Sequence, residues 1–192
     1  MALREILWCG HPVLRKRAKK VSTITAEVRQ ILDDMVETMI DAPGLGLAAP
    51  QVGEAIRAIV VREDVGEEYE IYVLVNPRIV RRKGRCEMLE GCLSLPTLQA
   101  YVQRAETVVV EGLNPEGELI QVAGDGMLAR ALQHEIDHLD GVLFVDRADE
   151  ETLAWMVPDK TDEDGYRLDP TTVEEVIARF NRLQAKKEAE KE

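Results

Sequence analysis

Residues 133–141 read QHEIDHLDG and hold two of the chain's three histidines. His134 and His138 stand four positions apart, which on a helix stacks them on one face. Two imidazoles so placed can grip one metal ion, and Glu135 is close enough to handle a proton of a water bound to that ion. Glu135 also falls within the apolar stripe of the same helix, formed by Leu128, Ala131, Leu132, Ile136 and Leu139. An isolated carboxylate there is costly, so it needs a partner or a raised pKa. A metal-bound water supplies a reason for its position, which a helix with a merely polar face does not.

Two histidines do not complete a catalytic centre. His11 is far away in sequence, and no histidine follows His138, so the long zincin pattern is not met. Downstream carboxylates at Asp140, Asp146 and Asp149 are one source of a third ligand. The stretch EGCLSLP, residues 90–96, is the more informative one. A lone Cys92 reads as a small buried hydrophobe. Beside an unfinished His-Glu-x-x-His site it reads as a thiolate ligand for zinc or iron, leaving a fourth position for water.

A third stretch, GLGLAAPQVG at 44–53, formally matches a dinucleotide fingerprint. That fingerprint must follow a strand and open a helix. This one follows a helical pattern, and Pro50 removes an N–H and restricts the residue before it. The glycines instead suit a close backbone approach to an extended ligand chain, with the Gln51 amide as a donor at the end of the loop.

Several elements must position these groups. Val28, Ile31, Leu32, Met35, Val36, Met39 and Ile40 recur at helical spacing after Thr25 as N-cap, and Pro43 and Gly44 end that helix. Strand-like runs follow at 56–62, 70–77, 106–113 and 118–124, the last two joined by the turn NPEG. A second helix, carrying the histidines, is predicted from the N-cap Asp125 to a stop at Gly141. A third begins at a capping box of Thr171 and Glu174 and buries Val173, Val176, Ile177, Phe180 and Leu183. Between these two helices the chain is acidic and reads as an irregular surface excursion, anchored by Trp155, Met156 and Val157. Strands and helices are segregated, which favours α+β over a doubly wound parallel sheet.

The 192 residues suit one domain, and 45% hydrophobic with 31% charged residues is ordinary for a soluble protein. No apolar run approaches the roughly 20 residues needed to cross a bilayer. The N-terminal apolar patch is short and interrupted by charge, so a cytoplasmic chain is expected. Three cysteines, Cys9, Cys86 and Cys92, do not suggest a disulfide framework. A net charge of −12 argues against broad nucleic-acid binding, and the basic runs RKRAKK (15–20) and RRKGR (81–85) read as solvated strand ends or turns.

GLGLAAPQ, EGCLS and QHEIDH, in this order and spacing, resemble the three signature motifs of the peptide deformylase family. The resemblance covers roughly residues 1–147 and leaves 148–192 as an acidic insertion plus a C-terminal helix. It implies antiparallel or mixed sheets around a central helix bearing the His-Glu-x-x-His motif, flanked by N- and C-terminal helices. It implies that Cys92, His134 and His138 hold one divalent metal, commonly Fe2+, with Zn2+, Ni2+ or Co2+ as substitutes. Glu135 would be the general base, and Gln51 with the Leu93 backbone N–H would meet the oxyanion. The backbones of Leu45, Gly46 and Gly91 would bind the peptide as an added strand. The implied reaction removes formyl from the N-terminal formyl-methionine of nascent chains. Some family tails dock on the ribosome, and Arg179, Arg182, Lys186 and Lys187 form a basic stripe for such a contact. The alternatives are a zinc metallopeptidase with a downstream carboxylate ligand and a non-catalytic metal-binding protein.

Overall fold

The computed structural model describes residues 2–42, 44–162 and 164–190, apart from the side chain of Glu188. Pro43 and the last two residues, to which a helix stop and part of the charged tail were assigned, lie outside them. Among the described residues three helices, α1 (Ala26–Asp41), α2 (Gly126–Leu139) and α3 (Val173–Ala189), accompany two antiparallel sheets. The first sheet orders β1 (Gly46–Ala48), β2 (Ala58–Val65), β3 (Glu68–Lys83), β6 (Thr107–Leu113) and β7 (Leu119–Asp125) side by side. The second orders β4 (Cys86–Cys92), β5 (Leu95–Arg104), β8 (Ala154–Pro158) and β9 (Tyr166–Pro170). This is the expected α+β architecture.

Strand β2 explains why its sequence is apolar without interruption. Ile59 and Val61 join the core under α2, whereas Ala58 and Val60 join the core under α1. Side chains alternate across a strand, so a helix on each face buries both sets. Thr25 caps α1 by accepting from the Val28 N–H, and Ile31, Leu32, Met35 and Met39 are buried, while Ile40 faces solvent. Helix α2 starts after Asp125 and turns away at Gly141, whose φ of 76° suits glycine. A Cβ there would sit 2.8 Å from the Arg15 carbonyl oxygen.

The segment expected to be irregular is ordered. Its first residues form two short 3-10 turns, and then β8 and β9 pair as a hairpin that extends the second sheet. The register Leu98↔Trp155 and Gln99↔Ala154 fastens β8 to β5. Trp155 then packs with Phe180, Phe144 and Val176 in the core beneath this sheet. Helix α3 is capped one residue later than expected. The Thr172 hydroxyl accepts from Glu175 N–H, and the Glu175 carboxylate accepts from Thr172 N–H. Val176 and Phe180 are buried, contributing about 1.5–3 kcal/mol each, whereas Leu183 is exposed.

Candidate metal centre

Helix α2 is buried on nearly its whole circumference, because the first sheet covers one side and side chains of the second sheet, among them Glu90, Cys92 and Arg104, reach the other. His134, Glu135 and His138 therefore lie in the interior, with Glu135 only 4% exposed. Cys92, at the end of β4, approaches this helix, its Sγ 3.3 Å from His138 Nε2. One donor atom from each of Cys92, His134 and His138 lies within 4.8 Å of the others.

Several features show how a cation would fit this group. The ring of His134 is held through Nδ1, 3.0 Å from Glu90 Oε2, which leaves Nε2 for a ligand. Burial, reinforced by the positive charge of His134, holds the His138 imidazole well below its usual pKa and therefore neutral, as a ligand must be. For His134 burial pulls the same way, but hydrogen bonding to Cys92 and Glu90 outweighs it and pushes the pKa well up. The surroundings thus favour one positive charge at this point, the need that a divalent ion meets. Two buried polar atoms, Glu135 Oε2 and His138 Nδ1, have no partner among the described residues. Burial, with the nearby charges of Glu90 and Asp137 adding to it, raises the Glu135 carboxyl to about 7 against the opposing pull of His134 and Arg104.

Glu90 received no role from its position in EGCLS. It accepts from Arg104 Nε at 2.6 Å and Nη2 at 3.0 Å, and it pairs with Arg130 as well as with His134. Burial alone would raise its carboxyl, but His134 and Arg104 hold it at about 2. Arg104 in turn donates to Asp137 at 2.7 Å, and Asp137 accepts a second guanidinium from Arg147. A buried charge is tolerated only when paired and hydrogen-bonded, and each member of this chain is. The one signal in the sequence was a carboxylate two residues before the thiol.

The loop before β2 delivers Gln51. Its Oε1 accepts from Ala48 N–H at 2.8 Å, which aims Nε2 at Ser94 Oγ (3.2 Å) and Cys92 Sγ (3.6 Å). Gly46 has a physical reason beyond any peptide: a Cβ there would stand 2.5 Å from Glu135 Oε1. Leu45, Gly46, Gly91, Cys92, Leu93, His134 and Glu135 all line one cleft, a cavity of about 390 Å3. Met127 and Met156 line it too; nothing in the sequence had placed Met156 there.

The other candidates lie elsewhere. Asp140 pairs with Arg57, Asp146 with Arg15, and Asp149 caps a 3-10 turn. His11 caps the turn that begins at Pro12. Cys86 is not in the donor group, and Cys9 is buried, which raises its thiol pKa. The run RRKGR forms the exposed end of β3 and the turn after it.

The family model described as polypeptide deformylase matches residues 3–154. A peptide deformylase of Natranaerobius thermophilus is 51% identical over 151 residues, covering 78% of this chain and 95% of that protein. The crystal structure of a peptide deformylase from Legionella pneumophila superposes with a TM-score of 0.75 at 40% identity, covering 96% of this chain and 98% of that one. A class I type b peptide deformylase from Acinetobacter baumannii, described as bound to Met-Ala-Ser, gives a TM-score of 0.71 at 36% identity. That match covers 76% of this chain and 98% of that one.

Proposed function

Because the chain belongs to the polypeptide deformylase family, we propose that its reaction is divided among the residues of this cleft as follows. The enzyme is a metal-dependent hydrolase that removes the formyl group from N-terminally formylated peptides, releasing formate. Cys92, His134 and His138 hold the metal, and the convergence of their donor atoms beside a buried, half-unpartnered Glu135 is the observation that carries this reading. The bound ion supplies Lewis acidity, polarising a carbonyl and making water acidic.

Glu135 takes the proton from the water that attacks the formyl carbon and delivers it to the departing amine nitrogen. A carboxyl with a pKa near neutrality suits both transfers. The C–N bond breaks, giving formate and a free N-terminus. Gln51 Nε2 and the Leu93 backbone N–H stabilise charge on the formyl oxygen, held in place before the reaction begins. Glu90 fixes the tautomer and orientation of His134, and Arg104 and Arg130 fix Glu90.

The peptide lies extended against the backbones of Leu45, Gly46 and Gly91. The bound Met-Ala-Ser described for the Acinetobacter baumannii enzyme supports a peptide in this cleft. Ferrous iron is the working metal, with zinc, nickel or cobalt able to replace it, since one thiolate and two imidazoles accept each of them. Residues 1–147 carry the chemistry, residues 148–192 act as part of the same unit, and the enzyme works in the cytoplasm on nascent chains. A ribosome contact through α3 rests chiefly on Arg182, because Arg179 and Lys187 already lie over Trp155 and Trp8 and Lys186 pairs with Glu190.

Formate release from formyl-Met-Ala, measured beside cleavage of internal bonds in unformylated peptides, tests this reading. Formate from the first and no cleavage of the second is expected. Cleavage of internal bonds without formate release would favour a metallopeptidase.

A further inference from the structure

The cleft does not end with the groups that perform the reaction. Its lining passes from Gly46, Cys92 and Glu135 to three large apolar side chains, Leu89, Met127 and Met156. Met156 belongs to β8, and both β8 beyond Ala154 and the whole of β9 lie outside the part of the chain that matches the family model. We propose that the β8–β9 hairpin builds an apolar subsite, centred on Met156, for a side chain that follows the formyl-methionine in the substrate. The inference rests on the deformylase reading and adds a substrate preference to it.

Strand geometry explains how Met156 reaches the cleft. Trp155 is drawn into the core opposite Leu98, so the next residue must point to the other face of the strand. Its cross-strand partner is Leu168, which shares that face and is 51% exposed. Leu89 is 43% and Met127 47% exposed. Three large apolar side chains are therefore left open to solvent around the mouth and its hairpin wall, with Met156 half-buried between them and the site. An apolar rim at the mouth of a mostly apolar cleft gains by covering itself with an apolar group. The occupant is the substrate itself, because the same cavity contains the groups that act on its formyl end and the peptide must leave the site along it. Methionine suits this position, since its flexible, polarisable side chain accommodates leucine, valine or phenylalanine without one fixed shape.

A subsite for later residues differs from one for the initiator methionine in what its removal does. Losing it changes the ratio of rates between peptides that differ only after methionine. Losing part of the methionine pocket, or loosening the hairpin, slows all formyl-Met peptides together.

The test uses the metal-loaded, full-length enzyme with formyl-Met-Leu-Gly, formyl-Met-Gly-Leu and formyl-Met-Gly-Gly. Formate release gives kcat/KM, and calorimetry gives the affinity of the corresponding deformylated tripeptides. In the wild type, leucine at one of the two positions should raise kcat/KM about tenfold over glycine. Met156→Ala should cut that ratio by about three- to tenfold, chiefly through KM, and Met156→Leu should restore it. An unchanged ratio in Met156→Ala, an equal loss on all three peptides, or no leucine preference in the wild type overturns the subsite while leaving the deformylase reading intact. Leucine-dependent binding that Met156→Ala abolishes, without formate from any peptide, upholds the subsite and overturns the reaction. Neither binding nor formate overturns both.

Discussion

Glu135 sits where a carboxylate has least reason to be unless it moves a proton. It is buried beside two histidines, one oxygen lacks a partner among the described residues, and its carboxyl is raised to about 7. Glu135→Gln keeps the shape and removes the proton acceptor. We expect metal content and fold to stay as in the wild type, and turnover to fall by about three orders of magnitude or more. Near-normal turnover in that variant would remove Glu135 from the mechanism. Glu90 acts one bond further out, through His134. Glu90→Gln should weaken metal binding by roughly 10–100-fold, read by competition with a chromogenic chelator, and extra metal should recover much of the activity. A variant that binds metal as tightly as the wild type would mean that His134 needs no such support. The two residues also differ in how visible they are in a sequence. Glu135 stands out because helical periodicity places it among leucines. The partners of Glu90 are 14 and 40 residues away at Arg104 and Arg130, and no local pattern encodes such a pairing.

Elements with one repeating period could be read, and elements defined by their partners could not. Helices α1, α2 and α3 bury faces at 3.6-residue spacing, and β2, β3, β6 and β7 carry apolar runs flanked by turns. Strand β4 reads CEMLEGC, and its buried Glu90 looks like surface until the arginines arrive to pair with it. Hairpin β8–β9 is short and joined by an acidic turn, so its composition resembled a linker, whereas its register with β5 supplies the order. The charged end of α3 is held more lightly: beyond Phe180, Leu183 is already exposed, and Lys187 makes only surface contacts with Trp8 and Glu5. Ending the chain after Gln184 should therefore leave kcat/KM on a short formyl peptide within a few-fold. Loss of turnover on removing only those eight residues would place the tail in the site.

At the scale of the whole molecule, two sheets enclose one buried helix, and each supplies what the helix lacks. The first sheet brings β1 and the Gln51 loop to it; the second brings Cys92, Glu90 and the wall of the cleft. Among the described residues no helix is long and apolar enough to cross a membrane. The net charge of −12 sets the surface against a phosphate backbone, in keeping with a peptide substrate. All of these parts converge on one claim: a thiolate from the second sheet completes a metal site begun by two histidines of the helix. The most direct test compares wild-type protein and Cys92→Ala, both prepared without oxygen and supplied with ferrous iron, for bound metal and for formate released from formyl-Met-Ala. The wild type should hold about one ion per chain and release formate, and Cys92→Ala should lose most of both, since two imidazoles without the thiolate leave an incomplete ligand set. Normal metal content and undiminished formate release in Cys92→Ala would contradict the account.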